Sequence, residues 1–213
     1  IFYAPRFFHP DPTVKRQSGF LAPSLMNSTL LGAGLNIPYY FAIADNRDAT
    51  INPKVYADEN PVVQTEYRYL TKNTYSIIDA SFNQGYKNTS DKKSSGSRNH
   101  IFAKSAVNLD IEQFDESKIE FNLQKVSNDT YLKVHNIDSE IMDSNAVMNS
   151  SIKMDFSKNN STMNINMDMY ENLGKTEERY EFVAPNFDYK NKLSITDELG
   201  ELNFQSRGFY RNY

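Results

Sequence analysis

The sequence predicts an all-β protein, an antiparallel up-and-down meander of strands. Two observations carry this prediction. Apolar and polar residues alternate with a period of two along most of the chain, and the 3.6-residue spacing of helices is rare. Clusters of Asn, Asp, Ser and Gly separate the alternating runs, as is typical of turns between strands. Counting the runs gives about eleven strands at intervals of roughly 18 residues.

Each alternating run places apolar side chains on one face of its strand and polar or charged side chains on the other. The clearest run is STMNINMDMY (161–170), where Met and Ile alternate with Asn and Asp. KIEFNLQ (118–124) and SIKMDFS (151–157) follow the same rule. In VVQTEYRYL (62–70) the polar face carries Gln64, Glu66 and Arg68.

Two connections are longer than the others. Residues 84–100 are rich in Lys, Ser and Gly, and we expect them to form a mobile loop. Residues 127–145 form a second long gap in the alternation. The segment 9–18 carries two prolines before the first clear strand, which indicates a linker. Because the chain begins at Ile1 rather than Met, we expect it to be part of a longer protein.

The composition argues against several classes of function. A net charge of −4 with scattered Lys and Arg does not favour nucleic-acid binding. Cysteine is absent, which excludes a disulfide framework and thiolate metal sites within this chain. His9, His100 and His135 are predicted to lie in linkers or loops, without the spacing of metal ligands. We therefore predict no enzyme, no cofactor and no metal site.

Alternation alone is compatible with two architectures. In a soluble β-sandwich, such as a carbohydrate-binding module, the apolar faces pack on each other and the charged faces meet water. In an outer-membrane barrel the apolar faces meet lipid and the charged faces line a wet lumen. The runs at 32–44, 62–70 and 161–170 reach the roughly 9–11 residues that a membrane strand needs, which favours the barrel.

Residues 16–51 raise a question of their own, because Pro23 and Pro38 fall within two neighbouring predicted strands. Proline has no N–H group, so it removes a hydrogen bond from the ladder between strands and is uncommon in strand interiors. The sheet is therefore predicted to be weakened where it begins.

The same region contains the motifs SGFLAP (18–23), PYYFAIADNRDAT (38–50) and EYRYL (66–70). With these motifs it resembles the LptD family of lipopolysaccharide-assembly proteins of Gram-negative outer membranes. The family pattern is a basic pair before "SGFL-P", then "PYYW-I-PN-DAT" and then "E-RYL". The present sequence has KRQSGFLAPSL (15–25), PYYFAIADNRDAT (38–50) and EYRYL (66–70), in the same order and spacing. It departs from the pattern at Phe41, where Trp is usual, and at Ala44-Asp45, where Ala/Pro-Pro is common.

The resemblance implies a fold, a location and partners. Residues 1–17 correspond to the end of a periplasmic jellyroll domain and its linker. Residues 18–213 correspond to the N-terminal part of a transmembrane β-barrel, with about ten strands in an open, curved sheet. The implied location is the cell outer membrane. The implied partners are lipopolysaccharide, the plug lipoprotein LptE, and the bridge protein LptA through a domain upstream of this chain.

The resemblance also assigns roles to particular residues. The sugar of lipopolysaccharide is expected to cross the lumen and its lipid to leave through a lateral gate, a seam between the first and last strands of the barrel. Pro23 and Pro38 are the predicted gate residues, since fewer ladder bonds must then break. Gln64, Glu66 and Arg68 are predicted to face the lumen. Aromatic side chains near the start of the chain are possible contacts along the lipid path, namely Phe2, Tyr3, Phe7 and Phe8.

Overall fold

The computed structural model describes residues 16–87, 89, 95–196 and 200–213, which form one antiparallel sheet and one short helix, α1 (Tyr131–Val134). No helix in this part of the chain has the length and hydrophobicity to cross a membrane. The strands are β1 (Gly19–Phe20), β2 (Ser24–Ser28), β3 (Gly32–Asn36), β4 (Tyr39–Ala44), β5 (Arg47–Tyr56), β6 (Val62–Leu70), β7 (Thr74–Asn83), β8 (Arg98–Asn108), β9 (Glu116–Val126), β10 (Val147–Lys158), β11 (Ser161–Asn172), β12 (Tyr180–Thr196) and β13 (Gly200–Asn212).

The predicted all-β meander is confirmed. From β4 to β13 each strand pairs with the next one along the chain. At the N-terminal edge β1 pairs with β4, β2 pairs with β3, and both β3 and β4 pair with β5. We therefore call residues 19–28 the first strand and residues 32–44 the second strand, each broken near its middle. The sheet is open, with the first strand at one edge and β13 at the other.

One face of the sheet, which we call the outer face, is apolar from strand to strand. The register produces this continuity, because Ile152 lies opposite both Phe121 on β9 and Met167 on β11. Val63 and Phe82 are a similar pair on β6 and β7. Large apolar side chains that remain exposed on this face include Phe41, Ile51, Val63, Ile78, Phe82, Ile101, Phe121, Ile152, Met163, Met167, Phe182 and Phe187.

The opposite face, the inner face, is covered in part by residues 127–146, which we call the inserted segment. The sequence indicated only a long connection here, but the segment contains α1 and buries Tyr131, Leu132 and Ile137. These side chains belong to one apolar cluster with residues of the sheet such as Ile77 and Phe102. The main core of the described chain therefore lies between the sheet and its own inserted segment.

Candidate functional site

Pro23 and Pro38 lie at the breaks of the first and second strands. Pro23 immediately precedes β2, and Pro38 immediately precedes β4. Sequence reasoning placed both prolines inside continuous strands, whereas in the structure each strand is interrupted beside its proline. Proline has no N–H group to donate to a neighbouring strand, and each of the two prolines lies at the break in its own strand.

The ladder between the first two strands has a gap at the level of these prolines. Gly19 and Phe20 pair with Tyr40 and Tyr39 on one side of the gap. Pairing resumes at Ser24 and continues for five residue pairs. Residues 21–23 face only residues 37–38, so the first strand carries one extra residue, as in a β-bulge. The backbone bond from Leu21 N to Pro38 O, 2.9 Å long, crosses the gap.

Side chains fasten the start of the first strand more than the backbone does. Arg16 reaches across the second strand, where its Nε donates to Tyr40 Oη at 3.0 Å and its Nη1 donates to Asp45 O at 3.0 Å. Its Nη2 also forms an ion pair with Asp48 on β5. Ser18 Oγ accepts a hydrogen bond from Ala42 N at 2.8 Å.

Asp48 is the centre of this cluster. Its carboxylate is almost fully buried and accepts hydrogen bonds from both Arg16 and Arg68. The Arg68 Nε–Asp48 Oδ1 distance is 2.9 Å. A buried carboxylate requires such partners, because an unpaired charge away from water is costly. Arg16, which comes just before the first strand, is thus connected through Asp48 to β5 and β6.

Gln64, Glu66 and Arg68 lie together on the inner face of β6, on the side predicted from the alternation. Gln64 Nε2 donates to the Asp79 carboxylate at 3.0 Å and to Asp138 O of the inserted segment at 2.8 Å. Glu66 Oε1 lies 3.5 Å from Arg68 Nε. The three side chains therefore form part of a polar surface that runs from the Asp48 cluster to the inserted segment.

A buried polar network joins the sheet to the inserted segment. His100 Nε2 lies 3.2 Å from Asp79 Oδ1, and His100 Nδ1 lies 2.6 Å from Ser81 Oγ. Ser81 Oγ also contacts Tyr131 Oη of α1 at 2.7 Å. The prediction that His100 lies in a loop was wrong, since it is a buried residue of β8.

The combination of Asp, His and Ser in contact does not make this network a catalytic site. Asp79 and His100 are at most 1% exposed and Ser81 is 5% exposed, so a substrate has no access to the hydroxyl. The Ser81 hydroxyl is also engaged by Tyr131. Among the residues that the structure describes, no group of acidic or histidine side chains has an arrangement that could hold a metal ion.

His135, at the end of α1, is buried in an apolar setting between Tyr56 and Tyr131. Neither ring nitrogen has a hydrogen-bond partner within the described part of the chain. Burial, with help from the positive charges of Arg98 and Lys54, lowers the pKa of His135 to about 4. The imidazole is therefore neutral at pH 7 and packs as part of the core.

The predicted lipid-path residues Phe2, Tyr3, Phe7 and Phe8 lie outside the described residues. The same holds for nearly all of the predicted jellyroll segment 1–17. Their roles stay predictions.

A comparison with models of known protein families shows which family this chain belongs to. The model of the family described as "LptD protein" matches residues 1–197. The chain belongs to the LptD family.

Curated relatives agree over the N-terminal part of the chain. The LPS-assembly protein LptD of Nitrosococcus oceani is 42% identical over 82 residues, which is 38% of this chain and 11% of that protein. LptD of Pseudomonas aeruginosa (strain UCBPP-PA14) is 39% identical over 82 residues, 38% of this chain and 9% of its own length. LptD of Psychrobacter cryohalolentis is 42% identical over 73 residues, 34% of this chain and 7% of its own length. The matched stretch thus spans only about a tenth of these relatives.

Sequence reasoning missed several residues of the Asp48 cluster and of the buried polar network. Asp48 was recognised only as part of the family pattern, and its pairing with Arg16 and Arg68 depends on the register of three strands. In the sequence, Asp79 is only a polar residue within an apolar run, and nothing there indicates its role in the network. The sequence does contain a sign that the inserted segment is buried, since Tyr131, Leu132 and Val134 are closely spaced apolar residues within a predicted loop.

Proposed function

We propose that this chain is part of an outer-membrane translocon that inserts lipopolysaccharide into the outer leaflet. The sugar passes over the inner face, which lines a lumen in the complete protein, and the lipid leaves through a gate beside the first strand. The observation that carries the proposal is the gap in the ladder between the first two strands, which falls at Pro23 and Pro38 of the LptD pattern.

The two faces of the sheet match the two parts of an amphiphile. Acyl chains in water cost about 0.8 kcal/mol per CH₂ group, and sugars are equally disfavoured in hydrocarbon. The outer face exposes apolar side chains such as Phe121 and Ile152, which suits contact with lipid. The inner face carries Gln64, Glu66 and Arg68, which suits a hydrated path. We assign these three residues to the lumen.

A gate requires that strands separate at an acceptable cost. Next to lipid, each backbone group that loses its partner costs several kcal/mol, because water cannot replace the bond. Pro23 and Pro38 each lack a donor, so fewer bonds are present to be broken. β1 is joined to β4 by only two residue pairs, which further lowers the cost of moving the start of the first strand.

The location and partners follow from the same proposal. We place the protein in the cell outer membrane, with LptE as the plug and LptA as the periplasmic bridge that reaches it through an upstream domain. The alternative, a soluble carbohydrate-binding sandwich, requires a second sheet over the outer face. The described strands form a single sheet, and the apolar side chains of that face are exposed.

The experiment restores the missing donors in the full-length protein. Pro23→Ala with Pro38→Ala should slow the appearance of new lipopolysaccharide at the cell surface when this variant is the sole copy. Pro61→Ala is the matched control, since Pro61 lies between β5 and β6 rather than at the gap. Both variants are first checked for equal amounts of assembled protein in the outer membrane. Normal delivery by the assembled double variant would contradict the proposed gate.

A further inference from the structure

A third proline lies at the level of the gap. Pro53 is inside β5. On one side of it, Lys54 pairs with Asn36; on the other side, the next paired residue is Ile51, which pairs with Tyr39. Its carbonyl oxygen accepts a long hydrogen bond, 3.4 Å, from Ile37 N. The strand pairing of β5 with the second strand is interrupted here, as it is between the first two strands.

The direction of this carbonyl shows which ladder lacks a donor. In an antiparallel pair the N–H and C=O groups of one residue point to the same neighbouring strand. The bonds Ile37 N to Pro53 O and Ala57 N to Ala33 O both join the second strand to β5. The nitrogen of Pro53 therefore faces the second strand, and Ile37 O receives no hydrogen bond from it.

The same reasoning assigns the other two prolines to different ladders. Pro38 O accepts from Leu21 N, so the nitrogen of Pro38 faces the first strand. Ser24 pairs with Asn36 on the second strand, so its neighbour Pro23 faces the opposite way, toward the free edge of the sheet. Pro38 and Pro53 thus each leave one donor missing from one of two successive ladders, and Pro23 leaves one missing at the free edge at the same level. We call Pro23, Pro38 and Pro53 the proline line.

We propose that the proline line is a hinge, and that Pro53 is a positioning residue that extends the gate to the second strand. This inference rests on the proposed function. The moving part is the lower half of the first two strands, which we define as β1 with β4. The second strand then moves together with the first, because the ladder that holds the second strand to β5 is weakened as well.

The upper half, β2 with β3, is anchored. Leu31, in the turn between β2 and β3, is 1% exposed and belongs to the core cluster. Gly34 lies against the ring of Tyr56 so closely that a Cβ atom there would be 3.0 Å from the ring. The lower half instead ends in the Arg16–Asp48 ion pair, whose loss still leaves Asp48 paired with Arg68. In the lower half the first strand is held by two residue pairs and these side chains, while β4 keeps five residue pairs with β5.

The first test measures backbone hydrogen exchange in the full-length protein. Pro53→Ala supplies an N–H group facing Ile37 O, and we expect exchange across residues 37–42 to slow about fivefold, as for one added hydrogen bond. Pro61→Ala should leave this segment unchanged. Equal exchange in Pro53→Ala and the unsubstituted protein, or an equal slowing by Pro61→Ala, would overturn the role of Pro53.

The second test traps each half separately with a pair of introduced cysteines, and residues 1–213 contain no other cysteine that could pair with them. A disulfide between Phe41→Cys and Ala49→Cys, register partners below the proline line, should stop lipopolysaccharide delivery until it is reduced. A disulfide between Leu35→Cys and Val55→Cys, partners above the line, should leave delivery unchanged. If the lower disulfide has no effect while Pro23→Ala with Pro38→Ala impairs delivery, the hinge is wrong and the gate stands. If neither has an effect, both are wrong.

Discussion

The first two strands and the pair β10–β11 show two ways of building the same sheet. β10 and β11 pair along twelve consecutive residues without a shift of register. The first two strands pair along two residues, break, and then pair along five. Apolar and polar residues alternate in β10 and β11, whereas the second strand contains the continuous apolar run YYFAIA (39–44). The two regions also differ in proline, which is absent from β10 and β11 and lies at each break in the first two strands.

The inserted segment braces strands that lie between these two regions. Lys54 Nζ donates to Asn136 O at 2.6 Å, and Gln124 Nε2 donates to Ile141 O at 2.9 Å. With the contacts of Gln64 and Ser81, these bonds tie the segment to β5, β6, β7 and β9. The central strands thus gain a polar support on the inner face in addition to their continuous ladders.

The largest expected effect comes from placing a proline in the continuous region. Lys153 lies in the middle of β10, opposite Asn166 and Glu120. Lys153→Pro should lower the free energy of unfolding by roughly 3–5 kcal/mol, because it removes a ladder bond, leaves an acceptor unsatisfied and introduces a ring. Urea unfolding of the full-length protein in detergent micelles measures this. Lys153→Ala is the control, and a midpoint equal to that of the control would show that a break is tolerated anywhere in the sheet.

A smaller, pH-dependent effect tests the bracing by the inserted segment. The folded-state pKa of His135, about 4, lies below its ordinary value of 6.5. Between these values the unfolded chain binds a proton that the folded chain does not, so stability falls as the pH falls from about 6.5 to 4. The unsubstituted protein should lose about 3 kcal/mol more than His135→Leu over this range. Parallel stability profiles of the two proteins would show that His135 is not held neutral in the core.

The smallest effect is expected where the first strand begins. Arg16→Gln should cost about 1 kcal/mol of unfolding free energy, because Asp48 is buried but keeps Arg68 as a partner. Lys192→Gln removes one member of the exposed Lys192–Glu201 pair and should change stability by less than about 0.5 kcal/mol. Chymotrypsin cleavage after Phe20, in the folded protein, should increase only in Arg16→Gln. An equal response of the two variants would mean that the Arg16 cluster is an ordinary surface contact.

Local sequence pattern was enough to predict the fold class and the faces of the strands. Gln64, Glu66 and Arg68 lie on the predicted face because a period of two depends only on neighbouring residues. His100 was assigned to a loop because it follows a Ser- and Lys-rich stretch, and only its burial against Asp79 identifies it as part of β8.

Long-range register was beyond such reasoning. The alignment of Pro53 with Pro38 depends on which residues of β5 and the second strand face each other. The packing of residues 127–146 on the inner face likewise depends on contacts between positions far apart in the chain, such as Gln64 with Asp138. Neither leaves a periodic signal in the sequence.

Native-state hydrogen exchange of the full-length protein in detergent micelles tests the central claim most directly. If the interrupted ladder makes the lower half of the first two strands separable, amides of β1 and β4 should exchange at least about a hundredfold faster than those of residues 147–172. Pro23→Ala with Pro38→Ala should reduce that ratio. Equal protection of the two regions in the unsubstituted protein would contradict the account.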